Sequence, residues 1–137
     1  MERKQSQSDG ERCYESLQRL IQFFTFTHHT FHTMRKIERL MNAAITAGKD
    51  WKLDNTEVVS CSHVSDVFLH GNLIARIGET WIELFDGGWR SNTTKSRLNA
   101  ILREHGCPGE CVFQKNFEWF INYQGGPIPF FSGMRLN

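Results

Sequence analysis

The chain has 137 residues, of which 16 are Lys or Arg and 15 are Asp or Glu, so its formal net charge is +1. This length predicts one domain, and the balanced charge excludes a strongly basic nucleic-acid coat and a polybasic membrane anchor. Apolar residues form 39% of the chain, which predicts a compact core. No apolar run approaches the roughly 20 residues that span a bilayer, so no membrane partner is expected. The four cysteines are too irregularly spaced for a disulfide framework.

Residues 1–33 differ in composition from the rest of the chain. Residues 1–10 are polar, residues 14–24 have apolar side chains at helical spacing, and residues 25–33 are only Thr, Phe and His. At Met34 a more conventional amphipathic pattern begins. We therefore divide the chain into an N-terminal extension, residues 1–33, and one folded domain, residues 34–137. The extension is either disordered or sequence upstream of the natural start.

The first element of this domain is predicted to be a helix over residues 34–47. Its apolar residues fall on one helical face, and Gly48 is a suitable C-terminal stop. The charged residues of this segment are expected on the solvent side, Glu38 among them. From Val64 the apolar period changes to two, which predicts three antiparallel strands over residues 67–69, 73–77 and 81–85. Gly71-Asn72 is expected to form the tight turn between the first two.

A second helix and further strands complete the predicted domain. Asn92 or Thr93 is expected to cap a helix that extends to about Glu104. Strand patterns return at residues 111–114, 117–123 and 128–131. The sequence therefore predicts an α+β fold, in which an antiparallel sheet or meander of five to six strands packs against two helices.

The most informative segment joins the two halves of this pattern. Gly87-Gly88 ends a strand, a run of capping residues follows, and cations accompany the start of the second helix. A helix start exposes unpaired backbone N–H groups and the positive end of the helix dipole, which together favour a bound anion such as phosphate. We expect backbone N–H groups of Thr93, Thr94 and Lys95 to hold the phosphate. The candidate ligand-binding residues are Trp89, Arg90, Asn92, Thr93, Thr94, Lys95 and Arg97.

Other interpretations of these and neighbouring residues stay open. The capping run can serve the helix alone, with Arg97 facing solvent and Trp89 in the core. His105, Cys107 and Cys111 could be zinc ligands, with Cys61 or His63 as a fourth, but their spacing lacks the paired knuckles of structural zinc sites. His70, Glu83 and Asp86 could form an acid–base group, yet no hydrolase or protease motif accompanies them. We assign no metal, cofactor or catalytic residue, and an enzyme is not expected.

Several blocks of the chain resemble small proteins of tailed bacteriophages of the marine and cyanobacterial type. These blocks are Met34–Glu38, Met41–Ile45, Trp51, Asn55-Thr56, Val67–Ala75, Gly87–Trp89, Thr93–Asn99 and Phe130–Met134. The resemblance covers about three quarters of the chain and begins at Met34, so residues 1–33 depart from it. It implies a phage gene product that acts in the cytoplasm of an infected bacterial host.

Together these observations predict an accessory protein that works by binding. The first hypothesis is a phosphate-bearing ligand, either nucleic acid or a nucleotide, with Trp89 stacked on a base. The second is inhibition of a host or anti-phage defence protein through a patch of exposed aromatic residues. The third is a small hydrolase or nuclease. The oligomeric state is not predicted.

Overall fold

The computed structural model describes residues 34–137, and the expectations for residues 1–33 lie outside this range. In chain order, the described elements are helix α1 (Lys36–Ala47), strands β1 (Trp51–Leu53), β2 (Thr56–Cys61), β3 (Val64–Leu69), β4 (Asn72–Ile77) and β5 (Ile82–Leu84), helix α2 (Asn92–His105), and strands β6 (Cys111–Lys115), β7 (Glu118–Tyr123), β8 (Gly126–Pro129) and β9 (Met134–Leu136).

The strands form two antiparallel sheets. The larger has the order β1-β2-β3-β4-β5-β9, and the smaller has the order β6-β7-β8. The predicted α+β fold with an antiparallel meander and two helices is therefore confirmed. The expected single sheet is divided in two, because β6, β7 and β8 pair with one another in a sheet of their own. In the larger sheet, β1 and β2 extend the meander on one side and β9 pairs with β5 on the other.

Helix α1 confirms the first predicted helix, with its start two residues later. Gly48 ends it with a φ of 65°, and its N–H donates to the carbonyls of Ala44 and Ile45. One face of α1 packs against β1, β2 and α2. The prediction that Glu38 lies on the solvent side is wrong, since this carboxylate is only 4% exposed.

Helix α2 joins the two sheets, because it contacts β4 of the larger sheet and β6 of the smaller one. Its apolar face contributes Leu98, Ala100, Ile101 and Leu102 to the core. The side chain of Asn99 binds the free edge of β6. Its amide donates to the Val112 carbonyl at 2.9 Å, and its Oδ1 accepts from the Val112 N–H at 2.7 Å. The smaller sheet is thereby fixed against α2.

The predicted turn at Gly71-Asn72 lies one residue too late in the chain. Strand β3 ends at Leu69 and β4 begins at Asn72, so the two turn residues are His70 and Gly71. Both have positive φ, 52° and 78°, as a two-residue hairpin of this type requires. Asn72 instead begins the next strand.

Candidate functional site

The start of α2 is capped by Ser91, so the prediction that Asn92 or Thr93 is the cap is wrong. The Oγ of Ser91 accepts from the Thr94 N–H at 3.1 Å, and its carbonyl accepts from the Lys95 N–H at 3.1 Å. Two of the three backbone donors expected to hold an anion are therefore already used. Helix geometry leaves the N–H groups of Asn92 and Thr93 without an intrahelical acceptor.

The loop before α2 is folded around Asp86. Its carboxylate accepts from the Gly88 N–H at 2.8 Å and from the Arg90 Nε at 3.2 Å. Gly87 and Gly88 have positive φ, 67° and 80°, which glycine adopts without strain. Burial acts to raise the pKa of Asp86, but the hydrogen bonds from Gly88 and Arg90 outweigh it and hold the pKa below its usual value. Asp86 is therefore a charged, structural centre of this loop.

Trp89 projects from this loop with 76% of its surface exposed. The alternative in which Trp89 belongs to the core is therefore wrong. Thr94 holds the backbone of Trp89 in place, because its hydroxyl donates to the Trp89 carbonyl at 3.1 Å. The loop is thus ordered by hydrogen bonds while its largest side chain faces solvent.

A cavity of about 540 Å³ opens between this loop, the start of α2 and the β3–β4 hairpin. It is lined by Leu69, His70, Asn72, Ile74, Asp86, Gly87, Trp89, Ser91, Thr93 and Thr94. The cavity coincides with much of the segment that the sequence indicated, and it adds residues from the hairpin. Its walls combine apolar side chains with hydroxyl and amide groups, which is the usual make-up of a small-ligand site.

Two of the predicted cations lie over one aromatic ring. The guanidinium of Arg90 is 5.5 Å from the centre of the Trp119 ring and 5.4 Å from that of Phe130. The ammonium of Lys95 is 5.9 Å from the Trp119 ring and donates to the Gln114 Oε1 at 3.1 Å. Trp119 and Phe130 pack edge to face at 5.4 Å. We call Arg90, Lys95, Trp119 and Phe130 the Trp119 cluster.

Arg97 lies away from this site and is 3% exposed. Its guanidinium donates to the Glu38 Oε2 at 2.8 Å and to the Thr56 Oγ1 at 3.0 Å. The Ser96 hydroxyl donates to the same carboxylate oxygen. This buried pair joins α1, α2 and β2, so the expectation that Arg97 faces solvent or neutralises a surface anion is corrected. Arg97 has a structural role.

The residues of the other hypotheses are spread over the fold. Among the described residues, no group of three or more His, Cys, Asp or Glu side chains could hold a metal ion. Asp86 and His70 line the same cavity, but Asp86 is paired with Arg90, and Glu83 lies opposite Arg76 and Arg135 in the sheet. Of the predicted site residues, Trp89, Thr93 and Thr94 line the cavity, and Arg90 and Lys95 lie over the Trp119 ring. Asn92 is the first residue of α2, and Arg97 is separated from this group.

Sequence reasoning missed Ser91 as the helix cap, the structural role of Asp86 and the Trp119 cluster as a unit. Ser91 could have been found, because a serine three residues before Thr94 has the spacing of a helix cap. The cluster had no local signal, since Trp119 on β7 and Phe130 after β8 meet Arg90 and Lys95 only through contacts made across the fold.

The comparison with known proteins identifies the family of the chain. A family model described as Kyanoviridae Gp96 protein matches residues 34–137. The chain belongs to this family. The family is one of cyanophage proteins, which confirms the resemblance to phage proteins of the marine and cyanobacterial type. No curated protein and no solved structure matches the chain. Within residues 34–137, no helix has both the length and the apolar character needed to cross a membrane.

Proposed function

We propose that this phage protein binds a phosphate-bearing ligand, a nucleotide or nucleic acid, in the cytoplasm of the infected host. The observation that carries the proposal is the meeting of an exposed Trp89 with the start of α2 at one cavity. Trp89 stacks on a base. The N–H groups of Asn92 and Thr93, together with the Thr93 hydroxyl, meet a phosphate oxygen.

The charges around the cavity favour an anion. Asp86 is the carboxylate that lines it, and Arg90 compensates that charge at 3.2 Å. The hydrogen-bond partner of Lys95 is the neutral amide of Gln114, so the positive charge of this lysine is not cancelled by that contact. The α2 dipole adds roughly half an elementary charge at the same end. Lys95 therefore supplies the net positive charge in our proposal.

Calorimetric titration of the whole chain with nucleotides, DNA and RNA at about 100 mM salt tests this function. Lys95→Ala should weaken binding and lower the slope of log affinity against log salt by about 0.7–0.9. Trp89→Ala should weaken binding without changing that slope, because stacking releases no counterions. Lys52→Ala, an exposed lysine on β1 at the far edge of the larger sheet, is the matched control and should leave binding unchanged.

The competing function is inhibition of a host or defence protein through exposed aromatic residues. It is favoured by the high exposure of Phe117 and Phe131, 95% and 60%. Protein contacts of this kind depend only weakly on salt, whereas phosphate contacts weaken steeply as salt rises. If no nucleotide or nucleic acid binds in the calorimetric screen, the phosphate proposal is wrong and protein inhibition becomes the leading function.

A further inference from the structure

Three exposed aromatic side chains lie within one or two residues, along the chain, of members of the Trp119 cluster. Trp89, Phe117 and Phe131 are 76%, 95% and 60% exposed, whereas Trp119 and Phe130 are 3% and 4% exposed. Trp89 immediately precedes Arg90, and Phe131 immediately follows Phe130. Phe117 lies two residues before Trp119, at the tip of the β6–β7 hairpin.

Contacts across the fold bring together the segments that carry these three rings. Consecutive Cα atoms are 3.8 Å apart, so each exposed ring begins within one or two residues of a member of one contacting cluster. The loops that hold Trp89 and Phe131 are also joined directly, since the Asp86 N–H donates to the Ser132 Oγ at 3.1 Å. The Lys95 Nζ donates to the Gln114 Oε1 at 3.1 Å, which brings the end of β6, three residues before Phe117, beside the start of α2.

We propose that this surface binds a single-stranded nucleic acid, with successive bases stacked on Trp89, Phe131 and Phe117 and the backbone held by Lys95 and the start of α2. This inference rests on the proposed function and specifies its ligand. Base stacking on separate aromatic platforms around a cationic centre is the common way to hold a strand without reading its sequence. A lone nucleotide could occupy only one of the three rings.

The arrangement favours a single strand over the other macromolecules. The faces of bases in a duplex are stacked on each other and closed to protruding rings. Protein-docking surfaces concentrate apolar side chains at the centre and place charges at the rim. Here the cations Arg90 and Lys95 lie over the buried Trp119 ring, and the exposed rings belong to the segments next to this cluster.

Fluorescence anisotropy with a labelled oligothymidylate of about twelve nucleotides tests the inference. Thymidine monophosphate, short oligothymidylates and a duplex of the same length serve as competitors. Affinity should rise over the first few nucleotides and then level, and the duplex should compete poorly. Phe117→Ala and Phe131→Ala should each weaken binding of the oligonucleotide about 5- to 150-fold, with no change in salt slope and no effect on the monophosphate.

Matched variants make the result specific to stacking. Phe131→Tyr keeps an aromatic face and should retain affinity, and Leu53→Ala, which removes an exposed apolar side chain on β1, should change nothing. If the monophosphate binds as tightly as the oligonucleotide, or if Phe117→Ala and Phe131→Ala have no effect, the inference is wrong while the proposed function stands. Equal binding of duplex would also contradict it. Absence of binding by every nucleotide and oligonucleotide would overturn both.

Discussion

Phe117 combines an unusual backbone with an almost fully exposed ring. It is the second residue of the two-residue turn between β6 and β7, where φ is 65°, and Asn116 before it has a φ of 53°. Such turns require positive φ at both positions, for which Asn-Gly is the preferred pair. At the matching position of the β3–β4 turn the chain has Gly71. A phenylalanine there costs about 1–2 kcal/mol of backbone strain, and its ring, which is 95% exposed, packs little against the rest of the chain.

We predict that Phe117→Gly raises the free energy of unfolding by about 1 kcal/mol, because the strain is released and only part of the gain is offset by the greater freedom of glycine in the unfolded chain. Urea denaturation followed by circular dichroism measures the change. His63, which has a φ of 67° in the β2–β3 turn, offers a parallel test, and His63→Gly should shift the midpoint in the same direction. A lower midpoint for Phe117→Gly would show that the ring stabilises the fold.

Among the secondary-structure elements, the period of apolar residues located the two helices and most strands. The turn and cap residues predicted from residue type placed several element ends one or two positions away from where they lie. The β2–β3 turn consists of Ser62 and His63, neither of which is a strong turn signal, so β2 was not predicted. Strand β9 was missed because it is three residues long and depends on pairing with β5. The loop and the start of α2 were found because glycines and capping residues act locally, whereas contacts with Trp119 are made across the fold.

The buried ion pair between Glu38 of α1 and Arg97 of α2 was also missed, although both residues lie three or four positions before buried apolar residues of their own helix. Arg97 precedes Ala100 and Ile101 by three and four residues, which places it on the apolar face of α2. Glu38 precedes Met41 by three residues on α1. A cation and an acid on two apolar faces therefore indicated a pair, but only the packing of the helices shows that they meet.

Arg97→Ala is expected to lower the free energy of unfolding by about 3–5 kcal/mol, because it leaves the Glu38 carboxylate buried without its partner. Chemical denaturation of the variant measures this loss. The double variant with Glu38→Ala should lose less than the sum of the single changes, which is the mark of a direct interaction. A stable Arg97→Ala protein with weakened nucleotide binding would instead return Arg97 to the binding surface.

For the whole molecule, stability should depend on the protonation of His105 at the end of α2. Burial lowers the pKa of His105 to about 4 from 6.5, and its Nε2 is buried without a hydrogen-bond partner among the described residues. Between these two values the unfolded chain binds the proton and the folded chain does not. The contribution of neutral His105 to the free energy of unfolding is therefore fully present above about pH 6.5 and is lost as the pH falls from 6.5 to 4. Below about pH 4 this loss amounts to roughly 3 kcal/mol.

Melting temperatures of wild type and His105→Phe between pH 7 and pH 4 measure this effect. The variant should lose less stability than the wild type over the same range, since its side chain takes up no proton. Parallel curves for wild type and His105→Phe would assign the acid sensitivity to other groups.

The division of the chain at Met34 should also be visible in its thermal stability. Residues 34–137 contain both helices and both sheets of the described structure, and the family model matches the same range. We predict that deletion of residues 1–33 lowers the melting temperature by less than about 5 °C, which corresponds to roughly 1 kcal/mol for a domain of this size. Thermal unfolding of the two proteins measures the difference. A larger loss would show that residues 1–33 belong to the folded unit.

The attachment of Asn99 to β6 has a consequence for the behaviour of the protein at high concentration. An open sheet edge invites a strand of another molecule and so promotes aggregation. On β6, the outward N–H and carbonyl of Val112 are occupied by Asn99. Phe130 directly follows β8, and its N–H points inward and donates to the Trp119 carbonyl. The backbone positions of Pro127 and Pro129 alternate with it and therefore face outward, where proline has no N–H to donate. At both edges of the smaller sheet, backbone groups that could pair with a strand of another molecule are therefore occupied by Asn99 or absent at proline.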